Sequence, residues 1–473
     1  MKTAIAIRPM NSQRCATQPI RHQLRLLTCL VCLSFVLPFV ALAQTSAPAA
    51  TPAPLAPEAQ EALKKGVIAA QQQEWDIAIQ SFQEARKSAP DAPVLFYNLG
   101  LAESKIPGRE LRAIAWFGAY LAAAPNAPNA AAVNDAIVGL QIKNQGNLNR
   151  LIETVQNAVP QKDYFDSTRF GWVAGLWAEN GNMTAALKIV ASTEDYFKDL
   201  AFRSPGEDSQ GISLTERGNK DQEYLYIAEG QAEAGDIAGA QKSADLIENG
   251  ILKSRAQGAI AVEQIKASDV EGAEKTFASA VTTADHIQDK LINGIQTHDR
   301  DDALSALAIV QAKVGDIKGA QKTVELVKND PMIWMKGTAQ VAIVTAQRTA
   351  GDPAGAQKTI DLMPDGRYKQ EAQTEGWVRF PAVTQPPKPV LSDWLKKLDD
   401  DDKYDTFQSD MDDEPHADYC ALNTDPFLHL AGYLTSQHSD DPEHLFETLY
   451  ETADKIVRAQ LVIDRMLKQQ AAR

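Results

Sequence analysis

Gly235-Asp236-Ile237-Ala238-Gly239-Ala240-Gln241-Lys242 returns as Gly315-Asp316-Ile317-Lys318-Gly319-Ala320-Gln321-Lys322, and again as Gly351-Asp352-Pro353-Ala354-Gly355-Ala356-Gln357-Lys358. Asp245-Leu246, Glu325-Leu326 and Asp361-Leu362 follow at one common offset, and looser copies start at Gly181-Asn182 and Ser268-Asp269. From copy to copy the steps are 54, 33, 47 and 36 residues. Two steps have the length of one helical-hairpin repeat and two are one repeat plus an insertion. Each copy reads as a turn between helices. Gly takes the left-handed conformation that ends one helix, and Asp or Asn caps the next. The Ala four residues after the cap lets the two helices approach closely. Upstream, an aliphatic residue sits eight before the turn and usually a small one seven before it: Val173/Ala174, Ile227/Ala228, Ile260/Ala261, Leu307/Ala308 and Ile343/Val344. These pairs are expected on the packing side of the first helix of each hairpin.

Nearer the N-terminus, Gly66, Ala78, Phe82, Ala85 and Pro90 are followed by Gly100, Ala113, Phe117, Tyr120 and Pro125. The offset is 34 for the glycines and 35 for the others. These residues and this period resemble the tetratricopeptide repeat family. The later copies resemble it in degenerate form: they keep the turn and the central Ala and mostly lose the aromatic and the closing Pro, although Phe277 stays. The likeness implies an all-α fold, a right-handed α-solenoid of helical hairpins, with two repeats in 59–127 and degenerate ones in 167–376. It also implies a concave face lined by the first helices, able to hold a polypeptide segment. On this chain the family's inward positions are Tyr97, Leu101, Leu225, Glu229, Arg255, Val262, Ile265, Asp302, Ile309, Val341 and Arg348. The family's clamp for a terminal carboxylate has no counterpart, since Leu63, Val67 and Leu101 stand where its Lys and Asn belong.

Outward from the array, the N-terminus carries Lys2, Arg8, Arg14, Arg21 and Arg25, then an apolar run Leu26–Leu42 ending in Ala41-Leu42-Ala43 before Gln44. This pattern predicts a signal peptide over 1–43, cleaved between Ala43 and Gln44, and therefore export to the periplasm or beyond with no membrane span left. Residues 44–58 are an Ala/Pro-rich tether. Cleavage would remove three of the four cysteines and leave Cys420 alone, so no internal disulfide can form. It would also leave 42 Lys+Arg against 62 Asp+Glu, a charge of −20 that disfavours nucleic acid.

Residues 128–166 read as connecting helices, with Asn144-Gln145-Gly146-Asn147 as a break, and 203–220 as a polar loop. Prolines at 381, 386, 387 and 389 and ten acidic residues in 399–418 predict a linker over 377–423. Asp425-Pro426 and Asp441-Pro442 open a C-terminal helical pair in 424–473, whose apolar stripe (Leu445, Leu449, Ile456, Leu461, Met466) is expected to cover the last repeat. No phosphate loop, nucleophile elbow or zinc-helix motif is present in the sequence. The acidic run lacks the glycine of an EF-hand loop, and His416, Cys420 and His429 lack metal-ligand spacing. The expectation is a non-enzymatic scaffold with a protein or peptide partner and no cofactor. No oligomeric state follows from the sequence. The alternative is an enzymatic or metal-binding module in 391–473 with the array as its docking arm.

Overall fold

The computed structural model describes residues 55–159, 166–192, 209–289, 291–292, 295–328, 334–374, 389–403 and 442–471. The signal peptide, its cleavage site at Ala43-Gln44, most of the tether, the helix expected at Asp425-Pro426, and His416, Cys420 and His429 lie outside them.

The described chain is helical. α1 (Pro57–Gln71) pairs with α2 (Trp75–Ser88), and α3 (Pro93–Glu103) with α4 (Glu110–Ala123). A long α5 (Ala130–Asn157) leads to α6 (Asp166–Glu179) and α7 (183–192). Then follow α8 (Ser209–Glu233) with α9 (Ile237–Asp245), and α10 (Gly250–Lys266) with α11 (Val270–Asp285). α12 (Asp299–Lys313) pairs with α13 (Ile317–Leu326), and α14 (Trp334–Thr349) with α15 (Pro353–Leu362) and the short α16 (Arg367–Gln373). The one sheet among the described residues is a two-residue ribbon, β1 (Leu291–Ile292) against β2 (Ile295–Gln296), antiparallel, in the insertion before α12. α17 (Leu391–Lys403) and α18 (Pro442–Ala471) complete the chain.

The first helices pack in series: α6 on α8, α8 on α10, α10 on α12, α12 on α14. Each also packs on its own second helix, so most contacts are local, as in a repeat architecture. The reason is visible in the turn. Gly181, Gly235, Gly315 and Gly351 have φ between 76° and 85°, and Ser268, the one non-glycine in the set, is held at 69°. One residue later, Asp236, Asp269, Asp316 and Asp352 accept from the backbone N–H of Gly239, Gly272, Gly319 and Gly355 at 2.8–2.9 Å. Asn182 does the same for Ala185 at 3.1 Å.

A second element of the repeat was not anticipated. Gln231, Gln264 and Gln311, four residues before the turn, donate to the Oδ2 of the capping Asp at 3.3, 3.2 and 2.9 Å. Together with Gln347 they accept from Ser243, Thr276, Thr323 and Thr359 of the second helix, at 2.6–2.8 Å. One buried amide thus ties the end of the first helix, the cap and the middle of the second. It also explains the second glycine of Gly-Asp-x-x-Gly, because a Cβ at Gly239, Gly272, Gly319 or Gly355 would collide with the Asp carboxylate.

The core positions read from sequence are buried: Ala186, Ala240, Ala273, Ala320 and Ala356, and the upstream pairs from Val173/Ala174 to Ile343/Val344. In the first two hairpins, Cβ atoms at Gly66 and Gly100 would run into Phe82 and Phe117, so the small residue makes room for the ring.

Four expectations are corrected. α5 is one unbroken helix. The residues read as the break bond outward and leave the helix backbone alone: Asn144 to Gln460, Asn147 to Glu110, and Gln145 to the Asn180 carbonyl. The stretch read as a loop is helical from Ser209 onward, no proline following Pro205 to stop it. The linker contains α17, because Trp394 and Leu398 bury fully against the core of the first hairpins. Finally, α18 does not cover the last repeat. Its principal neighbours are α4, α5 and α6, more than 260 residues away in sequence.

Candidate functional site

The residues expected to line a concave face divide by environment. Leu225 is fully buried in the core with Ala228, Ala240 and Ile260, so its assignment to a binding surface is corrected. Tyr97 is half-buried, 6.2 Å from Phe117 and 5.3 Å from Tyr120, and Leu101 packs beside it on the same core. Val262 and Ile265 lean on Phe277 together with Val310 and Val314. Ile309 leans on Ala308 and Ile343, and Val341 on Ile360 and Tyr368. All four keep part of their surface exposed. Glu229 on α8 and Arg255 on α10 pair with each other through two bonds, at 3.0 and 3.4 Å. Burial pushes the Glu229 carboxyl above its usual range, and Arg255 opposes that shift. Asp302 is exposed, and Arg348 half-exposed.

A second locus, absent from the sequence reading, lies where α18 crosses α6 and α8. Those two helices touch backbone to backbone: a Cβ on Gly230 would stand 2.6 Å from the Gly175 carbonyl, and one on Gly171 2.8 Å from the Tyr226 ring. Such close approach brings the helix ends together one turn on. There Glu179 is buried, with Glu233 beside it. The Glu179 Oε1 meets no hydrogen-bond partner among the described residues. Burial drives the Glu179 carboxyl well above its usual range; the Glu233 charge and hydrogen bond, then the Asp454 charge, push the same way, and Arg458 opposes them.

α18 closes this locus from above. Asp454 and Arg458 pair one turn apart at 2.9 Å. Asp454 is raised by burial in spite of Arg458, and burial also raises the phenol of Tyr450. Alongside, Trp172 stacks on Phe446 at 6.3 Å and lies 5.3 Å from Tyr450, while Arg169 sits 5.7 Å over the Phe446 ring. Further along, Gln460 meets Asn144 and Gln145, Asp464 meets Gln141 at 2.6 Å, and Gln470 bonds Trp394 Nε1 at 3.0 Å. The buried stripe of α18 is Phe446, Leu449, Ala453, Ile456, Val457, Ile463 and Met466. Leu445 packs at its margin, and Leu461, expected on the stripe, sits at its edge. One signal for this locus was available: Glu179 and Glu233 both stand two residues before a turn glycine.

Among the described residues no group of His, Cys, Asp or Glu has the arrangement of a metal site, and no helix is long and apolar enough to cross a membrane. No protein-family model matches the chain, and no similar sequence is found among curated proteins.

Proposed function

We propose that this protein is a tetratricopeptide-like α-solenoid of the cell envelope, exported by its N-terminal segment, that binds a polypeptide on the surface made by its first helices. The observation that carries the reading is the division of labour within each hairpin. The turn, the cap, the buried Gln and the small-residue crossing are all consumed by packing. What varies between hairpins is the part-exposed side of the first helices: Tyr97 and Leu101, then Glu229 with Arg255, Val262 with Ile265, Ile309, and Val341 with Arg348. A constant frame with a variable, partly apolar face suits recognition of an extended or helical segment. The export part rests on the basic stretch, apolar run and Ala41-Leu42-Ala43 site.

Two measurements test it. N-terminal sequencing of the exported protein should give Gln44 first; an intact 1–43 segment in the membrane fraction contradicts export by cleavage. Ile309→Asp with Val341→Asp places charge on half-exposed surface, so the fold should survive. The pair should abolish capture of polypeptides that the unaltered protein retains from an envelope fraction, while Leu246→Asp, at an exposed position just past the end of a second helix, leaves capture intact. Equal capture by all three proteins would remove the first-helix face from consideration.

A further inference from the structure

The repeat keeps one exposed residue that its packing does not use. Seven positions after the turn stands a lysine in all five copies: Lys188, Lys242, Lys275, Lys322 and Lys358. Only the alanine five after the turn is kept as strictly; the turn glycine, the cap and the buried Gln each vary once. That alanine is buried, whereas the lysine is exposed, about 200° round the helix from it. The hairpin itself does not require the cation. At the same offset from the turn residues Gln73 and Gly108, the first two hairpins hold Gln80 and Ala115. Nor do Lys275, Lys322 and Lys358 stand in the last turn of their helices, where a cation would complement the helix dipole.

In the three closest copies the lysine has company. An acid follows three residues on and a leucine four on: Asp245 and Leu246, Glu325 and Leu326, Asp361 and Leu362. All are exposed, the leucines by 56%, 40% and 74%. Among the described residues no ion pair joins these lysines to these acids, and Asp361 accepts from Gln357 instead. α13 and α15 bury matching offsets, Ala320, Thr323 and Val324 in one and Ala356, Thr359 and Ile360 in the other. Each lies on its own first helix, and those first helices, α12 and α14, pack on each other. The two stripes of lysine, acid and leucine therefore share one outer side of the array.

Such a stripe can pair with itself. A lysine and an acid three residues on stand about 4.5 Å apart along the helix. A two-fold axis running across the helices, midway between the two, exchanges their heights in a second copy. Each lysine then faces the acid of the same helix in the other copy, while the leucine beyond that acid lies on the lysine's aliphatic stem. A parallel meeting would set lysine against lysine. Self-complementarity of this kind is what an isologous contact requires. The chain's net charge of −15 repels a second copy over most of its surface, so contact is favoured where both signs stand side by side.

We propose that the outer side of α13 and α15 is a homodimer interface, in which Lys322 and Lys358 of one copy pair with Glu325 and Asp361 of the other and the leucines at 326 and 362 are covered. It lies on second helices, leaves the first-helix face free and does not depend on the polypeptide-binding reading.

Sedimentation velocity on the full chain tests it, at low ionic strength and up to submillimolar concentration. A concentration-dependent dimer is expected, weakening as salt is added. Lys322→Glu with Lys358→Glu makes both stripes acidic, and Glu325→Lys with Asp361→Lys makes both basic. Each double variant alone should lose the dimer while keeping its helical signal and melting midpoint, because all four side chains are exposed. Mixing the two double variants should restore a dimer, now of one copy of each. Carrying all four exchanges in one chain should restore the homodimer. An unaltered protein that stays monomeric throughout overturns the proposal. Double variants that dimerise like the unaltered protein also overturn it, by placing the contact elsewhere. A mixture and a fourfold exchange that both stay monomeric overturn it too, and leave the stripe to a different protein or to none.

Discussion

The two parts of this molecule hold their helices together by different means. From α8 to α16 the core is a chain of small separate clusters built from alanines and at most a few larger apolar residues, with buried glutamines tying first helix to second. From α1 to α7 most of it is one large core rich in rings, with Trp116, Phe82, Phe96 and Phe117 fully buried and a small cluster of Ala59, Ala85 and Leu95 beside it. That core is completed by α17 and α18 from the far end of the chain. The first kind is modular and survives on nearest-neighbour contacts; the second depends on closure by a distant helix. A repeat sequence can thus specify a frame locally and still leave one face whose covering is decided elsewhere in the chain.

The sharpest break in this comparison is Phe446→Ala. It removes a fully buried ring stacked near Trp172, at a cost of about 3–5 kcal/mol. Hydrogen exchange should show lost protection in α5, α6 and α18, with α12 to α15 unchanged. A uniform loss along the chain would mean that the two parts fold as one. Gln311→Ala is the converse. It removes the donor to Asp316 Oδ2 and strands the buried Thr323 hydroxyl, costing about 1–3 kcal/mol, and its exchange effect should be confined to α12, α13 and their neighbours. Gly315→Val places a β-branched residue at φ 85°, at about 1–2 kcal/mol. An unchanged melting midpoint would show that the turn relaxes to another conformation.

The smallest effect is on pH. Glu179 and Asp454 have carboxyls raised by burial. A raised acid favours folding while it is protonated, so its contribution is full below the ordinary carboxylate range and is lost as pH climbs through the raised value. The groups that act on Glu179 are Glu233 from α8, and Tyr450, Asp454 and Arg458 from α18. The midpoint reporting α18 docking should therefore fall as pH rises above the ordinary carboxylate range, and Glu179→Gln should flatten that fall. A midpoint that rises with pH contradicts the assignment.

What was legible in the sequence was what the repeat encodes locally. The turn glycines, the Asp caps and the aliphatic–small pairs could be read because each acts within one hairpin. The Gln link was equally local, at one offset from every turn from Gln231 to Gln347, but a lone Gln on a helix carries no pattern until its two partners are seen. The polar stretch in α5 misled because Asn144 and Asn147 look like helix breakers until Gln460 and Glu110 are found to bond them. Leu225 misled in the same way, since a position that lines the concave face in the resembled family is here sealed by α9 and α10. α18 was legible as an amphipathic helix, but its seat was not. Nothing in residues 442–471 names Gln141 or Glu179 as a neighbour, and contact across such a distance is settled by the whole fold.

The central claim, that polypeptides are bound on the first-helix face, is tested most directly by photo-crosslinking. A photoreactive residue is placed at Ile309 on a first helix, and in a second protein at Leu362, which is 74% exposed on a second helix, and both are irradiated in the intact envelope. The account predicts crosslinks from Ile309 to one defined segment of a partner, and none from Leu362 to that segment. Crosslinks from Leu362 alone, or equally from both positions, would contradict it.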